Sequence, residues 1–207
     1  MENTFVVTAV IVSNIYATMK ICRRLTLTAS NAKALALQAG DSAAGFRPLT
    51  DFINRYASIT TSSSTLINEM ACELSRIATE KDKTDRVLEH LDKVYINAHD
   101  SPYLNSMDVA RRRAQQHQQE LHDSYINLLS NLHAELDSMS GELRSANIVV
   151  TMSRIEALQA TSIHQNALNN VADNVESVTG AIKELIADAL RLVIKLKKQP
   201  DENTQAF

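Results

Sequence analysis

Apolar residues return every three or four positions over most of this chain, the spacing of one face of an α-helix rather than the strict alternation of a strand. Between Ile53 and Tyr95 the repeat passes through positions 53, 56, 60, 63, 67, 70, 74, 77, 81, 84, 88, 91 and 95. Most of these are apolar; Thr60, Ser63, Lys81 and Thr84 interrupt the seam and mark places where it should loosen or hold water. Tyr125, Leu129, Leu132, Leu136, Met139, Leu143, Ala146 and Val150 keep the spacing with no polar member before the small Ala146 and Val150 close it. Val171, Val175, Val178, Ile182, Leu185, Ala189, Leu192 and Leu196 do the same near the C-terminus. The first seam, Phe5, Val12, Ile15, Met19, Cys22 and Ala29, is weaker. The pattern predicts four helices.

The breaks fall where local chemistry disfavours helix. Gly40, Asp41, Ser42 and Gly45 predict a first reversal, because glycine adopts left-handed backbone angles cheaply and Asp or Ser can cap the next helix. The stretch 97–105, with Asp100, Ser101 and Pro102, predicts a second, with Asn105 or Ser106 as the following N-cap. Thr161, Ser162, Asn166, Asn169 and Asn170 point to a third, without glycine. Gly141 is read as a bend or close-packing point inside one helix, since the seam stays in phase across it. The expected organisation is a single all-α domain: a helical hairpin over 1–97 turning near 40–45, a connection over 98–106, a second hairpin over 107–198 turning near 161–166, and a flexible tail over 199–207. The helices run short, long, long, short. They are expected to form a long antiparallel four-helix bundle about 50 Å in length, with the two central helices continuing as a two-helix extension. Leu88, Leu91, Leu121 and Leu128 in that extension are expected to be partly exposed and to recruit another subunit, making the chain a monomer or a homodimer.

Composition narrows the class. Only four glycines and three prolines in 207 residues leave few reversals, and no tryptophan with 4% aromatics argues against a sheet protein. A formal charge of −3 argues against general nucleic-acid affinity, which needs a net basic face. Cys22 and Cys72 lack metal-type spacing and read as two reduced core thiols, which suits a cytoplasmic protein. The apolar run from Phe5 to Met19 is broken by Thr8, Ser13, Asn14 and Thr18 and falls short of the ~20 residues of a membrane span, so it reads as a buried helix. None of His90, His99, His117, His122, His133 or His164 has an acid three residues before it, the spacing that carboxylate-bridged metal bundles use. With no phosphate loop and no nucleophile-base arrangement either, no metal, cofactor or catalytic site is expected. Arg111, Arg112 and Arg113 read as a solvated face, or as a patch for an acidic partner. Lys195, Lys197 and Lys198 suit the negative end of the last helix.

The residues around the first reversal carry a resemblance. Asn31, Ala32, Ala36, Ala39, Gly40, Gly45 and Phe46 fall, ungapped, on the pattern N-A-A-I-E-A-A-R-A-G-E-x-G-R-G-F, with Asp41 in place of a glutamate. The run Met152 to Ala160, with Val171 to Val175, resembles the same pattern near the third turn, and the two runs share Ala-Leu-Gln-Ala at 36–39 and 157–160. This pattern is similar to the cytoplasmic signalling hairpin of methyl-accepting chemotaxis receptors, here degenerate and internally duplicated. The resemblance implies a cytoplasmic signalling or scaffold protein whose hairpin tip docks a chemotaxis coupling protein or histidine kinase. It places that surface at Asn31, Leu35, Gly40, Phe46 and Glu156. The chain departs from the family at Leu35, where receptors carry the tip glutamate that survives only as Glu156, and at Gln38 and Gln159, where they carry arginine. Arg23, Arg24, Leu25 and Thr26 replace the F-Q-T-N segment through which receptor dimers group, and the paired methylation sites are missing. A purely structural coiled-coil assembly protein is the alternative. The comparison requires both hairpin bends to lie at one pole of a rod.

Overall fold

The computed structural model describes residues 4–40, 45–97 and 105–198. They form α1 (Thr4–Gln38), α2 (Phe46–Asn97), α3 (Asn105–Gln159) and α4 (Ser162–Lys198), and among the described residues there is no strand. α1 packs along α2 and α4, and α3 packs along the same two helices, while the diagonal pairs scarcely meet. That is a square antiparallel bundle. The order short, long, long, short is as the seams predict, and α3 runs unbroken through Gly141. The expected turn residues Asp41 and Ser42, most of the 98–106 connection and the 199–207 tail lie outside the described residues.

The core follows the seams closely in the second half and with a shift in the first. Leu129, Leu132, Leu136, Met139, Leu143, Ala146 and Val150 are buried, and Tyr125 is half-buried. In α1 the buried line is Thr8, Ile11, Ile15, Thr18, Cys22, Leu25, Ala29, Ala32 and Ala36, so Val12 and Met19 stand on its shoulder. The Phe5 side chain lies outside the described set. Two buried threonines explain the misplaced phase, because a hydroxyl bonded to its own helix can enter a core: Thr18 Oγ1 donates to the Asn14 carbonyl at 3.0 Å. In α2, Ser64 rather than Ser63 is buried. In α4, Ile186 and Val193 are buried while Leu185 and Leu192 are half-buried, since contact with both α1 and α3 demands a broader face than a strict coiled-coil seam.

At 1.5 Å per residue α2 and α3 are each about 80 Å long and α1 and α4 only about 55 Å. The longer pair therefore continues alone. Of the four leucines expected to be partly exposed, Leu91 and Leu128 are half-buried, whereas Leu88 and Leu121 are buried. Among and beyond them the seam becomes polar. Gln118 Nε2 donates to Asp85 at 2.5 Å, Arg111 pairs with Asp92 at 2.8 Å while lying 5.1 Å from the Tyr95 ring centre, and the Tyr95 hydroxyl donates to Asp108. Arg111, read from sequence as part of a solvated run, is thus a seam residue. Two helices cannot dehydrate their contact line as four can, and cross-helix polar pairs need no dehydration. They also contribute less, about 0–1 kcal/mol for an exposed ion pair against about 1.5–3 kcal/mol for a fully buried leucine.

Leu136→Ala, in the four-helix section, should therefore lower the unfolding free energy by about 2–5 kcal/mol in a urea titration, and Leu91→Ala, in the extension, by less than half as much. Equal losses would mean that the extension is packed as tightly as the bundle.

Candidate partner-docking site

Both reversals of the hairpins lie at one pole. α1 ends with Ala39 N donating to the Leu35 carbonyl at 2.9 Å, followed by Gly40 at φ 61°, the left-handed angle that closes a helix C-terminus. α3 and α4 are separated by Ala160 and Thr161 alone. The Thr161 carbonyl accepts from His164 N at 2.9 Å and Gln165 N at 3.0 Å, which makes Thr161 the N-cap of α4. The turn expected near 161–166 is accordingly earlier and shorter. Asn166, Asn169 and Asn170 belong to α4, where their amides stay at the surface while Leu168, Val171 and Ala172 enter the core. Propensity favours turns for asparagine, but a buried face on the same helix outweighs it.

The bends touch through Glu156. Its carboxylate lies against Gly45 so closely that a Cβ there would overlap it. Gly45 immediately precedes α2, whose first turn contains no acid of its own, so Glu156 supplies negative charge from α3 to the positive end of α2. The five residues expected at a partner surface separate accordingly. Asn31 is exposed, Leu35 is half-buried against the core, Gly40 caps α1, and Glu156 is half-buried beside Gly45. Phe46 is fully buried and anchors the start of α2 to the core, so it offers a partner no surface.

The exposed chemistry of this pole lies elsewhere, on the last three turns of α3. Ile148, Met152, Ile155 and Leu158 are all exposed, Ile148 at 66% and Leu158 at 69%. A shallow groove of about 400 Å³ runs beside them between α3 and α4, lined by Val150, Thr151, Ile155 and Leu158 and closed by Arg154, which bridges to Asp173 at 3.0 Å and Glu176 at 2.5 Å. On α2, exposed Phe52 stacks under the Arg55 guanidinium at 5.0 Å. The sequence carried a signal for this stripe: positions 148, 152 and 155 are spaced for a helix face but out of phase with the seam through 146 and 150.

Along the four-helix section the core also holds hydroxyls. The Tyr56 hydroxyl, Ser64, Ser153 and Thr179 are buried without a well-formed hydrogen bond, although Thr60 and Thr179 lie close to Tyr56. Burial pushes the pKa of the Tyr56 hydroxyl far above its usual value. Burial also pushes the neighbouring Cys22 thiol up to about 11, partly offset by a hydrogen bond with Thr61; Cys72, expected in the core as well, is exposed, because Ala71 and Leu74 carry the buried face of α2 there. Among the described residues no three His, Cys, Asp or Glu side chains converge as a metal site would require. The membrane expectation needs correction in one respect: helix and apolar character continue past Met19, and Val6–Gln38 is long and apolar enough to cross a membrane. Within the bundle the seam of that helix is buried against α2 and α4, with Val6, Val10, Tyr16, Leu27 and Leu37 exposed. Compared with models of known families, with curated proteins and with solved structures, the chain matches none.

The two glycines should respond differently to alanine. At Gly40 the backbone angle itself resists a side chain, and Gly40→Ala should cost about 1 kcal/mol. At Gly45 only the far end of Glu156 must swing aside, so Gly45→Ala should cost about 0.5 kcal/mol, the loss of a charge at a helix end. Thermal unfolding of both variants orders the two effects, and the reverse order would refute the assignment. The Cys22 shift gives a pH dependence. Above pH 9.0 an unfolded thiol ionises while the folded one stays protonated to about 11, so stability should fall across that window. Urea midpoints compared with Cys22→Ala isolate the effect: the wild type should lose more stability than the variant as the pH rises.

Proposed function

We propose that this chain is a non-enzymatic, receptor-like signalling bundle that binds a protein partner at the pole where both hairpins turn, the partner being a chemotaxis-type coupling protein or histidine kinase. The observation that carries this reading is the exposed stripe Ile148, Met152, Ile155 and Leu158 beside the two bends. Apolar side chains of this size seldom cluster on the surface of a monomer without a contact to make, and a polar rim such as Arg154, Asp173 and Glu176 is usual around protein contacts. Anchors spaced four and three residues apart on a rigid helix offer pre-formed pockets at little entropic cost.

Support from the sequence is the tip pattern around Asn31 to Phe46 and its weaker echo at Met152 to Ala160. The side-by-side bends, joined through Gly45 and Glu156, give one chain the two-hairpin tip that the resemblance calls for. Phe46 and Gly40 serve the shape of that tip, while Asn31 and the α3 stripe offer the contact. The cytoplasmic setting is part of the proposal and is supported by the free cysteines and by the burial of the α1 seam inside the bundle.

Binding to an immobilised coupling protein and to a chemotaxis histidine kinase, measured separately, tests the reading. Wild-type chain should bind one of them in the micromolar range, and Met152→Glu with Leu158→Glu should weaken binding by at least about tenfold. Val94→Glu, at the far end of the rod, should leave it unchanged. No binding to either partner at about 0.1 mM would remove the proposal.

A further inference from the structure

Two opposite corners of the rod carry unmatched charge of opposite sign at the same height. α1 contains no acidic residue, yet it holds Lys20, Arg23, Arg24 and Lys33. Lys33 reaches Asp51 at 3.4 Å, whereas Lys20, Arg23 and Arg24 are exposed and form no ion pair among the described residues. The adjoining stretch of α2, 57–68, is uncharged; on α4, the other neighbour of α1, Asp188 is taken up by Arg191, and only the exposed Glu184 stands at a similar height to offset these cations in part. Exposed Tyr16 and Leu27 bracket them on the same helix.

On α3, diagonally across the bundle, Asp137 and Glu142 are exposed and Glu135 is half-buried, and none of the three forms an ion pair among the described residues. Arg144, also exposed on this helix, reduces the patch to a net charge of about −2. Between the acids stand Ser138, Ser140 and Gly141. Gly141 is an exposed mid-helix glycine with open space over its Cα, so nothing inside the chain requires the missing side chain, although glycine weakens a helix by about 1 kcal/mol relative to alanine. A hollow on the outside is what the residue provides.

The heights agree through contacts already described. Lys33 meets Asp51, which brings Arg23 level with Thr61; Gly45 meets Glu156 and Asp92 meets Arg111, which bring Thr61 level with the Gly141–Glu142 turn. α1 and α3 also run in the same direction. A second copy displaced sideways along the bundle diagonal therefore sets Arg23 against Glu142 and Lys20 against Asp137, with no shift along the rod.

We propose that the chain associates side by side with copies of itself, the cationic corner of α1 in one copy seating on the acidic hollow around Gly141 of α3 in the next. The two patches differ, so the contact is heterologous and extends into rows rather than closing a two-fold dimer. It does not use the docking pole and stands independently of the partner assigned there. Because exposed ion pairs are individually weak, association depends on low ionic strength.

Sedimentation velocity of the full chain at about 0.1 mM, in about 0.01 M and about 1 M salt, where the screening length falls from about 30 Å to about 3 Å, provides the test. Wild type should form species larger than a dimer at low salt and be monomeric at high salt. Arg23→Glu with Arg24→Glu, and separately Asp137→Lys with Glu142→Lys, should each be monomeric at low salt while keeping wild-type helicity and melting temperature. An equimolar mixture of the two should associate again, since each then presents what the other lacks. Should a reversal fail to fold, the glutamine pairs at the same positions take its place and should be monomeric alone. A monomeric wild type at low salt, association that survives high salt, reversal variants that self-associate like wild type, or a mixture that stays monomeric would each overturn the proposal. So would wild-type binding to vesicles of anionic lipid without self-association, which would assign the α1 corner to a membrane surface.

Discussion

The rod depends on one constraint: a helix that repeats its apolar residues every three to four positions exposes a stripe that a single neighbour cannot cover. Four such stripes meeting around one axis exclude water, and two do not. The square arrangement of α1 to α4 satisfies this over about 50 Å, with the leucines of α3, the isoleucines of α4 and the smaller Cys22, Ala29, Ala32 and Ala36 of α1 in one buried cluster. The antiparallel order that brings the stripes together also brings the first and third turns to one end. The location of the candidate docking pole is thus a consequence of core formation.

Where α1 and α4 stop, the same constraint changes the chemistry of the remaining pair. Leu88 and Leu121 are still buried there, while Asp85, Asp92, Tyr95, Asp108, Arg111 and Gln118 make polar contacts between the two helices. These groups keep partial hydration and still fix the register of α2 against α3. In the four-helix section the polar members behave differently. Thr18 and Thr60 return their hydroxyls to their own helices, while Tyr56, Ser64, Ser153 and Thr179 remain without good partners. Of these, Thr179 lies close to Tyr56, and each unpaired hydroxyl in the core forfeits stability that an apolar residue would retain.

The pole and the two charged corners divide the surface by chemistry. The end of α3 exposes a leucine, two isoleucines and a methionine, suited to a partner that buries them. The middle of the rod exposes matched charge on α1 and α3, suited to copies of the same chain. A bundle able to stand in rows with its poles aligned would present many docking sites in one plane, which joins the two proposals without making either depend on the other.

The existence, order and relative length of the four helices were legible from spacing and from the scarcity of glycine and proline, because burying a helix face imposes a period on the residues themselves. The seams of α3 and α4 were likewise legible, since nearly every position in them is apolar. The phase of α1 was not, because Thr8 and Thr18 look polar until their hydroxyls are seen bonded within the helix or otherwise partnered. Nor was the fate of the expected site residues. Sequence put Phe46 and Glu156 next to the two turns, but only packing turned Phe46 inward, set Glu156 against Gly45 and left the Ile148 to Leu158 stripe outside. The role of Arg111 and the facing of the α1 and α3 corners depend on which residues of distant segments share a level. Periodicity along one helix fixes which face is buried; it carries no information on what stands opposite, which is decided when the helices register against one another.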